Sequence, residues 1–116
     1  MKLMFHILRK NKKLGINNET LSWKDINEKL AEEFSEVADE INNYRVNKDF
    51  KSVIRIVEET FDLIQVCILI LWRCHRLAKK NNNPNLIREL NIEHKDKLIT
   101  TRRWEIETGI KVDVKE

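Results

Sequence analysis

From Ser22 to Lys80 the chain contains no glycine and no proline, and the part from Phe50 to about Lys80 is patterned as one long helix. That is long for a globular domain. Its first half is amphipathic: Val53, Val57, Phe61, Ile64, Ile68 and Leu71 line one side, and Glu59 and Asp62 occupy the other. Further along, the second side turns apolar as well, with Val66 and Leu69 stacked beyond Asp62. A helix that is apolar all round must be covered all round. Three or four helices from one chain of 116 residues cover it poorly, so the pattern predicts that this helix also forms a subunit interface.

The rest of the chain reads as helical too. Two glycines, one proline and 35% charged residues favour helices with charged outer faces over a β-rich fold. Ser22, with Asp25 three residues on, opens the first strong helix in the manner of a capping box. Trp23, Ile26, Leu30, Phe34, Val37, Ile41 and Tyr44 then fall within a stripe roughly 80° wide at 3.6 residues per turn. Glu33, Glu36 and Glu40 lie along one border of that stripe, where they can be drawn partly inward, whereas Glu32 points away and stays solvated. Asn47-Lys48-Asp49 is a short turn with Asp49 as N-cap of the long helix. Asn81-Asn82-Asn83-Pro84 ends that helix, and Pro84 suits the first turn of the next. Residues 85–103 read as helix, in one piece or two. Residues 1–13 fit a short amphipathic helix, a strand or an arm; 14–21 a loop; and 104–116, with Gly109 and the alternation from Ile110 to Val114, an irregular or extended tail. The expected fold is a single all-α domain over 1–116, with its core at 22–103 and peripheral segments at 1–13 and 104–116.

Cys67 and Cys74, seven apart in an apolar helical stretch, read as reduced, buried core residues. The apolar patch from Leu3 to Leu8 is too short for a signal peptide. The run from Leu63 to Trp72, apolar apart from Gln65, is about half the length that spans a bilayer. No membrane role is expected, and the expected location is the cytoplasm. The formal charge of +3 is segregated. Lys2, Arg9, Lys10, Lys12 and Lys13 make the first segment basic; Asp25, Glu28, Glu32, Glu33, Glu36, Asp39 and Glu40 make the next strongly acidic; Lys95, Lys97, Arg102 and Arg103 return positive charge near the end. One continuous basic face, as a nucleic-acid partner requires, is absent from this pattern.

The chemistry concentrates in Glu32-Glu33-Phe34-Ser35-Glu36 and Glu59-Thr60-Phe61-Asp62. Carboxylates one turn apart share a helix face, and a short turn near 47–49 lets Glu33 and Glu36 face Glu59 and Asp62 at similar depth. Four carboxylates crowded there repel one another in a partly dry site, and without a cation one or more must take up a proton. Each pair alone fits a solvated acidic face; the conjunction points to a divalent cation. Helical di-iron sites need Glu-x-x-His on two helices, yet His6, His75 and His94 follow Leu3, Trp72 and Asn91 at that spacing. The cysteines do not form a C-x-x-C zinc pair. All-carboxylate ligation favours Mg²⁺ or Mn²⁺, which usually serve phosphate chemistry.

Glu-Glu-x-x-Glu followed after 22 residues by Glu-x-x-Asp resembles the MazG-like all-α nucleotide pyrophosphohydrolases, over about residues 22–75. The resemblance implies a helical bundle completed by assembly into a homodimer or homotetramer, and Mg²⁺-dependent cleavage of a nucleoside triphosphate to the monophosphate and pyrophosphate. Matched position by position, Glu33, Glu36, Glu59 and Asp62 become the metal ligands, with Glu33 or Glu36 taking a proton from the attacking water. The segment from His94 to Trp104 is similar to the basic segment that follows the metal helices in that family, which would put Lys97 with Arg102 or Arg103 on the phosphates. His94 can join them, or be a plain surface histidine. Trp23 and Trp104 can stack on a base, or pack in a core or interface. The competing expectation is a non-enzymatic helical oligomer, a regulatory or adaptor protein whose acidic cluster is a solvated or partner-binding face.

Overall fold

The computed structural model describes residues 1–116. Its centre is a hairpin of two long helices, α1 (Trp23–Asn47) and α2 (Phe50–Lys80). The caps form where the sequence places them. The Ser22 hydroxyl accepts from the Asp25 N–H at 3.0 Å, and the Asp49 carboxylate accepts from the Ser52 N–H at 3.0 Å. Those Ser52 hydrogen bonds hold the Asp49 carboxyl below its ordinary value. Between the caps, Lys48 takes a left-handed φ of 52° and its N–H closes on the Tyr44 carbonyl at 2.8 Å. A turn this tight leaves α2 no choice but to run back along α1, so it sets the register of the pair. Glu40 meets Arg55 at 3.0 Å, and the next levels outward pair Glu36 with Glu59 and Glu33 with Asp62.

α2 stops at three asparagines: the Asn81 side chain donates to the Leu77 carbonyl at 2.8 Å, and Asn82 turns left-handed at φ 59°. The third helix, α3 (Leu86–Asp96), continues into a wider π-helical turn, Lys97–Thr101, so of the expected 85–103 the structure makes 86–101 helical, in two pieces. Pro84 does not sit in the first turn of α3 as expected. It precedes the N-cap Asn85, where its fixed φ shapes the connection instead. Ahead of α1, a two-residue antiparallel pair, β1 (Lys10–Asn11) with β2 (Ile16–Asn17), folds back through Gly15 at φ 66°. Of the readings open for 1–13, the structure takes the arm ending in a short strand. Residues 102–116 carry no helix or strand, and no backbone hydrogen bond involves 105–116. The chain is thus mainly helical, with no helix long and apolar enough to cross a membrane.

Little of this chain is buried. Ile26, Val66, Ala78 and Ser52 are the only residues fully enclosed. The exposed area of 10264 Å² compares with about 6,700 Å² for a compact monomer of this mass. The radius of gyration, 16.9 Å, likewise exceeds the roughly 13 Å of a compact chain this long. Two expectations are corrected here. The apolar stripe of α1 does not point squarely at α2: Phe34 stays 64% exposed, because the helix is rotated to bring its acidic border to the contact. Cys67 is exposed and Cys74 half-buried, both free thiols, because nothing in one chain covers that flank of α2.

Candidate metal centre

The rotation of α1 puts Glu33 and Glu36 against Glu59 and Asp62. One carboxylate oxygen from each of Glu33, Glu59 and Asp62 lies within 4.8 Å of the others. Glu36 stands outside this trio but within hydrogen-bonding contact of both Glu33 and Glu59. Glu32 is exposed and contributes no oxygen to the trio.

The electrostatics follow from that crowding. Glu33 is pushed up from 4.5 to about 7, first by burial, then by the Glu36 charge and a hydrogen bond shared with Glu36, then by Asp62 and Glu32. Glu59 is also raised, chiefly by its hydrogen bond with Glu36, then by desolvation and the charges of Glu36, Asp62 and Glu40. Glu33 Oε2 is fully buried and has no hydrogen-bond partner. Three carboxylate oxygens that converge in this way, with no nitrogen or sulfur among them, are of the type that suits a hard cation such as Mg²⁺ or Mn²⁺. The residues present therefore fit the metal that the resemblance implies.

A cavity of about 280 Å³ opens beside the cluster, lined on the helices by Lys29, Glu33, Asp62, Gln65, Val66, Ile68 and Leu69. Its other wall is the N-terminal arm, His6 to Leu8, with Asn18. The arm is held there by named contacts. The Gln65 side chain donates to the His6 carbonyl at 2.9 Å and accepts from the His6 N–H at 3.4 Å. Phe5 packs edge-on to Phe61 at 5.7 Å, and the Asn18 amide donates to the Leu8 carbonyl at 3.1 Å.

The arm, Lys29 and Gln65 were not foreseen as site residues. Two signals existed: Lys29 precedes Glu33 by one turn, and Gln65 is the one polar interruption between Leu63 and Trp72. The arm itself has no periodicity that could announce its place.

The remaining expected site residues lie elsewhere. Lys97, Arg102, Arg103 and His94 are exposed on and after α3 and line neither this cavity nor the one next to it. Trp23, 47% exposed at the start of α1, lies with its ring 5.6 Å from the Arg73 guanidinium, a cation–π contact. No protein-family model, curated protein or solved structure matches the chain.

Proposed function

We propose that this protein is a Mg²⁺-dependent nucleotide pyrophosphohydrolase, cleaving a (d)NTP to the (d)NMP and pyrophosphate, and that it works as a homo-oligomer in the cytoplasm. The observation that supports this most is the facing of two acid pairs across one helix hairpin, with three of their oxygens within 4.8 Å. Glu33, Glu59 and Asp62, with Glu36 beside them, are the residues that would hold the cation. When bound, it neutralises triphosphate charge and makes water a better nucleophile. Glu36, outside the converging trio, keeps an acceptor oxygen for the proton of the attacking water. Lys29 in the same cavity offsets negative charge on the substrate, and the apolar walls of Val66, Ile68 and Leu69 limit bulk water.

Assembly is part of the proposal because the area is there. Val57, Phe61 and Leu71 on α2 and Phe34 and Ile41 on α1 are 40–64% exposed. The exposed area exceeds that of a compact monomer by roughly 3,600 Å², more than one standard interface buries from both partners together. Light scattering at micromolar concentration is expected to give a dimer or tetramer; a monomer would remove assembly from the proposal. The same uncovered surface favours the second reading, a helical oligomer with a regulatory or adaptor role and no chemistry.

Pyrophosphate release from a panel of NTPs and dNTPs, in Mg²⁺, Mn²⁺ and EDTA, separates the two. The enzyme requires release that depends on metal and is lost in Glu59→Gln. No release from any nucleotide, with no Mg²⁺-induced rise in melting temperature, selects the adaptor.

A further inference from the structure

The groove between α2 and the N-terminal arm does not end at the acidic cavity. A second cavity of about 160 Å³ adjoins it, sharing Ile7, Leu8, Asn18 and Leu69 as walls. Its polar lining is of opposite sign: Arg9, Arg73 and Arg76 against a single acid, Glu19. On α2, Asp62 and Arg73 are 11 residues apart, which is close to three full turns, so both face the groove with about 16 Å between their Cα atoms. An acidic compartment and a basic one therefore share one face of one helix.

The basic compartment is under-neutralised. Arg9 pairs with Glu19 at 3.2 Å. Arg73 gives one N–H to the Asn18 carbonyl at 2.7 Å, but its Nε is buried without a partner. Arg76, half-buried, makes no hydrogen bond or ion pair. Three guanidinium groups around one recess repel each other, and one carboxylate cannot match them. Guanidinium forks are suited to phosphate oxygens, each offering parallel N–H donors.

We infer that the Arg9–Arg73–Arg76 recess is an anion site for the pyrophosphate end of a polyphosphate whose reacting phosphorus lies toward Glu33, Glu59 and Asp62. The inference rests on the proposed pyrophosphohydrolase reading for its substrate, but the anion site is testable by itself. It assigns the phosphate-holding role to α2 and the arm, in place of Lys97, Arg102 and Arg103. It also gives the arm a function: Arg9 reaches the site only because residues 5–9 lie across α2.

The experiment is calorimetric titration of inorganic pyrophosphate into the full chain, in EDTA, with sulfate as a control anion. Arg76→Gln is the informative variant, because Arg76 holds nothing else in place, whereas Arg73 also supports Asn18 and Trp23. Pyrophosphate is expected to bind without metal, about tenfold more tightly than sulfate, to weaken about tenfold in Arg76→Gln, and to recover in part in Arg76→Lys. Glu59→Gln, which removes turnover, is expected to keep that binding. If nucleotides are not hydrolysed yet this pattern holds, the anion site stands and the enzymatic reading falls. No metal-free pyrophosphate binding, or equal affinity in Arg76→Gln and the parent, overturns the anion site. Retained hydrolysis with an unchanged KM in Arg76→Gln overturns it too, while leaving the metal centre intact.

Discussion

Two neighbouring levels of the same helix hairpin treat a carboxylate in opposite ways. Near the turn, Glu40 faces Arg55 at 3.0 Å, and Arg55 also donates to the buried Ser52 hydroxyl at 3.2 Å. About one helical turn farther from the loop, Glu36 and Glu33 face Glu59 and Asp62, acid against acid, with no arginine or lysine in an ion pair with any of them. The backbone register that supplies a cation at the first level supplies none at the next. Packing alone does not demand this, since the first level shows a neutral solution in the same geometry. The acid levels are therefore costly to the isolated chain, and they carry the proposed chemistry.

The largest expected effect comes from breaking the acid level. Glu59→Gln is expected to lower turnover by at least about 100-fold, since even groups one step removed from a metal are worth 10–100-fold. The variant should remain folded, and its apo form should melt no lower than the parent, because a repelling charge is gone. Circular dichroism and pyrophosphate release check both halves. An unfolded variant, or one with full activity, would sink the assignment.

A smaller effect, in stability, follows from Glu33. Its carboxyl rises from 4.5 to about 7 in the folded chain. Between those values the unfolded chain has already lost the proton and the folded chain still holds it. Stability therefore falls as pH climbs from about 4.5, and the loss is complete above about pH 7. After allowance for partial solvent screening this amounts to about 1–2 kcal/mol at pH 8. Relative to the parent, Glu33→Gln should gain that much at pH 8 and almost nothing at pH 4. Chemical denaturation in EDTA at the two pH values measures it. If Mg²⁺ binds, saturating metal should erase the pH-dependent loss in the parent and leave Glu33→Gln unmoved.

How much of this was legible in the sequence differs along the same two helices. The caps at Ser22 and Asp49 could be read because capping is local, a side chain meeting an N–H three residues away. The facing of the acid pairs could be read because a two-residue gap between long helices leaves little freedom of register. The rotation of α1 could not. The apolar stripe from Trp23 to Tyr44 advertises itself as the contact face, but its acidic border holds that place, and Phe34 and Ile41 wait outside. Which face is inside depends on every surface the helix meets, not on its own pattern alone. The same reason explains Cys67, expected in a core and exposed in the single chain. The arm was illegible for a different cause: Phe5 and His6 are placed by side chains about sixty residues away, Phe61 and Gln65, and no local pattern encodes that meeting.

The smallest effect lies at the neutral level. Glu40→Gln removes the carboxylate from Arg55, but the Arg55 side chain is 40% exposed and the Glu40 side chain 19%. Partly solvated pairs of this kind contribute about 0.2–1 kcal/mol. The substitution also has a gain: Glu40 is among the charges that raise Glu59, so its removal relaxes the acid level one turn away. The two terms oppose, and the net loss should be no more than about 0.5 kcal/mol at pH 8. In a Glu59→Gln background the repulsion between Glu40 and Glu59 is already gone, so the loss from Glu40→Gln should be larger there than in the parent at the same pH. Thermal melts of the two single variants and the double variant at pH 8 test that ordering. An equal loss in both backgrounds would mean that Glu40 and the acid level are electrostatically independent, and that the contrast between the levels stops at one turn of helix.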